Sequence, residues 1–165
     1  MSEQKQLLTP VYKRRYHIQG YDIHTDQEIY NYKHGIRFAY LGCGSVVAIG
    51  LVMQNIPILA IAMAVAFLAV LLPIHPFDYL YNSVVRHMIN KPALPKRTNQ
   101  GKFACGIATV WLGAIIYLLI DGYLIAGNIL GGLLLTQAFV VGTIAICIPS
   151  MIYNVLFKTA KKEIA

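Results

Sequence analysis

Four stretches of almost uninterrupted apolar residues alternate along this chain with short polar segments. They run from about residue 36 to 53, 57 to 74, 103 to 120 and 123 to 148, the last fading toward Phe157. Each is at or slightly below the roughly 20 residues that a helix needs to cross a ~30 Å hydrocarbon core. Gln54-Asn55-Ile56 separates the first two, and Pro57 suits the first turn of a new helix, where its missing N–H would be unpaired anyway. Asp121-Gly122 separates the last two. The pattern predicts an all-α integral membrane protein with four transmembrane helices in two tandem helical hairpins.

Between the hairpins the period changes. Pro73 and Pro76 end the second block, since proline cannot continue the backbone ladder without strain. Phe77, Leu80, Tyr81, Val84, Val85, Met88 and Ile89 then recur at three- and four-residue steps. Asp78, Asn82, Arg86, His87 and Asn90 fall on the other face. That spacing predicts an amphipathic helix over 76–90, lying in the membrane interface. The expected organisation is an N-terminal arm over 1–34, a first hairpin with its interfacial helix over 35–90, and a basic, proline-containing linker over 91–101. A second hairpin over 102–157 and a basic tail over 158–165 complete it.

Composition agrees with the pattern: 57% of the 165 residues are hydrophobic and 13% charged, where soluble domains carry about 25% charged residues. Met1 to Gly35 has no apolar core of a signal peptide, so the first block is expected to act as an uncleaved anchor. The formal charge of +7 reads as topology and contact with anionic lipid rather than nucleic acid, which ranks third among partners. Lys5, Lys13, Arg14, Arg15, Lys33 and Arg37 precede or open the first block. Arg86, Lys91, Lys96, Arg97 and Lys102 lie between the hairpins, and Lys158, Lys161 and Lys162 follow the last. The two opposite turns hold only Asp121. If every block spans, all basic residues lie on one side, and the positive-inside rule puts both termini in the cytoplasm.

A short internal repeat accompanies the two hairpins. Gly35-Ile36-Arg37-Phe38-Ala39 resembles Gly101-Lys102-Phe103-Ala104, and Pro76 with Tyr81-Asn82 resembles Pro149 with Tyr153-Asn154. Two spans per unit insert both units in the same sense, which implies a pseudo-two-fold axis along the membrane normal.

The candidate chemistry is sparse. No charge lies in the middle of a block, which argues against an ion pump or a proton-coupled carrier. Gly127, Gly131 and Gly132, Gly42 and Gly44, and Ala60 and Ala64 form stripes of small residues that let helices approach closely. Asn128 lies beside Gly131 and Gly132, either as interhelical glue or as part of a partner-binding face. Cys105 and Cys147 are expected at similar depth near His75, as apolar filler or as an activated thiol site. The five histidines lie outside the blocks or at their edges, which excludes a bis-histidine haem between helices. No cofactor or metal site is predicted; bound lipid is. Tyr12, Arg14, Arg15 and Tyr16 of the arm, with Arg86, Lys96 and Arg97, are expected to face lipid or a protein partner.

His75-Pro76-Phe77, Leu80, Tyr81, Arg86, Pro92, Pro95, Arg97 and Phe103-Ala104 together give the chain a resemblance to a bacterial membrane family, domain of unknown function 4395. The resemblance covers roughly Gly35 to Phe157. It implies two helical hairpins joined by a basic segment, and a place in the bacterial inner membrane. It also implies a cysteine pair near the end of the last span and companions of the thioredoxin-like or sulfurtransferase kind. Cys147 matches one position of that pair and Ser150 stands at the other, so the dithiol is incomplete here.

Three functions follow as expectations. The first is a non-enzymatic accessory or scaffolding subunit, packed against other membrane subunits or a second copy. The second is a thiol-dependent membrane partner in sulfur transfer or redox chemistry. The third is a small neutral-solute channel or carrier.

Overall fold

The computed structural model describes residues 8–157, all helical or in short connections. The tail over 158–165, with Lys158, Lys161 and Lys162, lies outside the described residues, as does Lys5. Helix α1 (Pro10–Tyr16) runs into a π-helical turn, His17–Tyr21. Long helices follow: α2 (Asp26–Val52), α3 (Ile56–Leu71), α6 (Asn99–Ile120) and α7 (Leu124–Ile144). Between α3 and α6, α4 (Pro76–Leu80), a π turn (Tyr81–Val85) and α5 (Arg86–Met88) form one short helical run, and α8 (Ile148–Phe157) closes the chain.

Three helices, α2, α6 and α7, are long and apolar enough to cross a membrane, and α3 with Pro76–Met88 makes a fourth candidate bent by 83°. By itself α3 has 16 residues, about 24 Å of helix. Each long helix packs against two others: α2 and α6 both contact α3 and α7. The four form a closed ring, with Val47, Leu51, Leu59, Ala62, Leu112 and Ile115 at its centre. Large apolar side chains such as Val52, Phe67, Val110 and Ile125 face outward, as expected where hydrocarbon rather than water is the solvent.

The repeat is visible as repeated contacts. α4 packs on α2 as α8 packs on α6. Phe38 of α2 meets Phe77 and Tyr81, and Phe103 of α6 meets Tyr153 and Phe157. Each closing helix returns to the start of its own unit.

Several boundaries differ from the sequence reading. The first long helix starts at Asp26, ten residues before the apolar block, because Thr25 and Glu28 form a reciprocal capping box. Those residues therefore belong to α2 rather than to an arm ending at residue 34. The fourth block breaks at Ala145, in the left-handed region with φ 58°, which ends α7 where Pro149 favours a fresh start for α8. The run after Pro76 does not divide into an apolar and a polar face. Asp78 and Tyr81 are buried, while Leu80, Val84 and Met88 are exposed. In α8 Ser150 and Asn154 point inward and Val155 and Leu156 outward. In α8, then, the polar side chains face the bundle and the apolar ones face its surroundings.

Candidate functional site

The basic end of the bundle holds a buried polar cluster. His75 begins it: its backbone is extended, and its Nδ1 accepts the Phe77 N–H at 3.1 Å, capping α4 with Pro76 in the first turn. A backbone N–H can only donate, so the His75 proton sits on Nε2. Nε2 faces Cys43 Sγ at 3.7 Å. The imidazole is therefore a donor toward Cys43 and not a base for it. Burial, then the charge of Arg97, pushes the His75 pKa down to about 3, so the ring is neutral.

Arg97 arrives from the linker. Its backbone N–H donates to Pro73 O at 2.8 Å, which folds the linker onto the end of α3. Its Nη1 donates to Asp78 Oδ2 at 3.2 Å, and the two side chains are only 3% and 6% exposed. Burial pushes the Asp78 carboxyl up, against the opposing pull of the Arg97 charge and hydrogen bond. The guanidinium lies 5.1 Å from the Tyr40 ring centre, and its Nη2 is 3.9 Å from Cys105 Sγ. Asp78 Oδ1, Arg97 Nε and Ser150 Oγ are buried without a protein partner.

His75, Arg97, Tyr40 and Cys105 open onto a cavity of about 490 Å³ between α2, α3, α6, α7 and the start of α8. Cys43, Cys105, Cys147, His75, Arg97 and Tyr40 line its basic end, and Val47, Ala62 and Leu112 continue its wall deeper in the bundle. All three cysteines of the chain are free thiols on this one cavity. Among the described residues no three His, Cys, Asp or Glu side chains are grouped to hold a metal ion.

The arm covers the basic end. Arg15 donates to Ile144 O at 2.8 Å, Gln19 to Ala145 O at 2.9 Å, and Thr98 to Gln19 O at 2.7 Å. Asn154 donates to Ile18 O at 2.8 Å. Gly20, at φ 88°, passes so close to Gln100 that a Cβ there would collide with it. Tyr21 is buried beneath the arm, and burial raises its phenol to about 12.

The chain matches the family described as Domain of unknown function (DUF4395) over residues 33–158. It belongs to the DUF4395 family. No curated protein and no solved structure matches it. The match takes in α3 to α8 and α2 from Lys33 onward, and so the whole cavity. α1, the π turn and the first turns of α2 lie before it.

Of the residues singled out in the sequence, Cys105, Cys147 and His75 share the cavity. Cys43, which was given no role, joins them; it lies about two turns in from the basic end of its block, and counting depth from Arg37 would have found it. Asp78 was assigned to a solvated face and is buried. Arg97 and Tyr16, expected to face lipid or a partner, are 8% and 1% exposed. The other residues in that group lie nearer the surface. Arg14 and Lys96 are exposed, Tyr12 half-buried beside Arg15 and Arg37, and Arg86 half-buried with its Nε on Asn82 O.

The small residues divide. A Cβ at Gly42, Gly127 or Gly131 would come within 3 Å of Phe77, Leu119 or Leu51, and one at Gly44 would lie 3.3 Å from Ala138. Gly132 has open space around it and Ala64 is exposed, while Ala60 is half-buried. On α3 the inward alanines are Ala62, Ala66 and Ala69. Asn128 is exposed, and its Oδ1 accepts from Gln54 at 2.9 Å, tying the α2–α3 turn to α7.

Proposed function

We propose that this DUF4395 protein is a four-span protein of a bacterial cytoplasmic membrane, its basic end and both termini inside, that serves as a thiol-bearing partner in sulfur or redox chemistry. One observation carries this reading: three thiols, a neutral histidine and a buried arginine meet on one cavity. Cysteines used only as filler have no reason to gather beside Arg97, the cation of the one buried ion pair among the described residues.

The donors around the sulfurs set the chemistry. His75 Nε2–H faces Cys43, and the Arg97 guanidinium faces Cys105. The imidazole Nε2–H and the guanidinium can each donate a hydrogen bond to the sulfur they face. Cys105, beside the cation, is the best-placed nucleophile. Exchange with a disulfide substrate then forms one S–S bond from the Cys105 sulfur and breaks the substrate's own. The Cys105 proton leaves on the released thiol. The cavity's apolar depth suits the uncharged part of such a substrate.

This reading ranks above the accessory role, which draws on short outer turns, uncharged spans and an aromatic arm suited to docking, because part of that arm is engaged within the protein. Tyr16 and Tyr21 are buried against the protein's own bundle. It also ranks above a neutral-solute path, because beyond the cluster the wall's polar side chains, Thr136 and Gln137, are bonded to backbone carbonyls.

The test is alkylation of the folded protein in mild detergent at neutral pH, with the modified cysteine identified by mass spectrometry. Cys105 is expected to react first. Its rate should fall roughly tenfold in the Arg97→Met/Asp78→Leu double variant, which removes the cation beside its sulfur. Three thiols that stay inert until denaturant is added would defeat the proposal.

A further inference from the structure

A second concavity lies on the outside of the ring. It is an open groove of about 700 Å³ along α6, edged by Val70 of α3 and Leu130 of α7. Lys102 and Phe103 stand at its basic end, and Gly106, Val110 and Trp111 lie along it. From Lys102 to Ala114 it extends about 18 Å along the helix axis.

Gly106 is what distinguishes this groove from a helix contact. Where glycine is needed for close packing in this fold, a Cβ would collide, as at Gly50 against Leu59 at 2.7 Å. At Gly106 the nearest neighbour of a Cβ would be Val70 at 3.8 Å. The glycine weakens the helix without bringing another helix closer, and what it leaves is a trough. Trp111 is fixed at the trough's side, its Nε1–H donating to Leu130 O at 3.1 Å. Among the described residues no carboxylate pairs with Lys102, so its ammonium is available at the headgroup end.

We infer that this groove holds one acyl chain of an anionic phospholipid, with its phosphate on Lys102. The occupant follows from the groove's two chemistries: an apolar trough that ends in a single unpaired cation at the basic end of the molecule. A zwitterionic lipid such as phosphatidylcholine would fit the trough and also carries a phosphate, but its own ammonium already balances that phosphate, so the charge of Lys102 stays uncompensated. The inference rests on the membrane placement proposed above and is independent of the thiol site.

Trp111 is the only tryptophan in the chain, so the signal comes from one position, on the wall between this groove and the thiol cavity. The protein is reconstituted into vesicles doped with phosphatidylglycerol or phosphatidylcholine brominated on the acyl chain, and Trp111 fluorescence is recorded. Brominated phosphatidylglycerol is expected to quench at about one fifth of the mole fraction that phosphatidylcholine needs, the preference of one lysine for an anionic headgroup. In Lys102→Gln, whose side chain remains polar and half-exposed, the two lipids should quench alike. Equal quenching in the wild type would overturn the inference. So would the absence of quenching by either lipid, which would mean that protein rather than lipid covers the groove. A chain that stays in buffer without detergent would instead defeat the membrane placement itself.

Discussion

At the scale of the residue, Arg97 and Asp78 are a costly pair to disturb. Two charges held 3% and 6% exposed have lost their hydration and depend on each other. Arg97→Met is expected to destabilise the protein by about 3–5 kcal/mol, because the Asp78 carboxyl is left buried without its cation. The double variant Arg97→Met/Asp78→Leu removes both charges and should return to within about 1 kcal/mol of the wild type. Denaturant titration in detergent would separate the two outcomes. A double variant no better than Arg97→Met would mean that the guanidinium matters for its shape against Tyr40 and not for its charge.

At the scale of the element, two glycines one residue apart on α7 have opposite expectations. A Cβ at Gly131 meets Leu51 at 2.5 Å, whereas one at Gly132 meets nothing within 4 Å. Gly131→Ala is expected to cost about 1–3 kcal/mol through overpacking at the α2–α7 contact. Gly132→Ala should be neutral, or stabilising by about 0.8–1.0 kcal/mol from helix propensity. Thermal unfolding of the two variants side by side checks this, and equal midpoints would contradict the packing described. Composition could not tell these glycines apart, since both sit in the same stripe. The capping box of Thr25 and Glu28, by contrast, was written in the sequence as Thr-x-x-Glu. It went unread because the apolar pattern begins ten residues later.

At the scale of the whole molecule, the distribution of basic residues is the governing fact. Every Lys and Arg among the described residues lies before α2, on α2 no further in than Arg37, or between α3 and the first turn of α6. If the four-span reading holds, Asp121→Cys should react with an impermeant maleimide added outside intact cells, and Lys96→Cys should not. Both substitutions are placed in a background without native cysteines. Labelling of both from outside would refute the topology.

The sequence by itself determined what local chemistry determines: where apolar stretches begin and end, that they are helical, where prolines interrupt them, and that two units repeat. Each of these follows from a few neighbouring residues and the solvent around them. Only the tertiary structure decided which side chains face inward at the basic end. Asp78 reads as solvated on a helical wheel, and becomes buried because Arg97, nineteen residues on, is folded back to meet it. Cys43, Cys105 and Cys147 sit on three different segments, and become neighbours because the ring of α2, α3, α6 and α7 closes around one cavity. Pairings across such sequence distances are set by packing of the whole bundle, and periodicity within one helix carries no information about them.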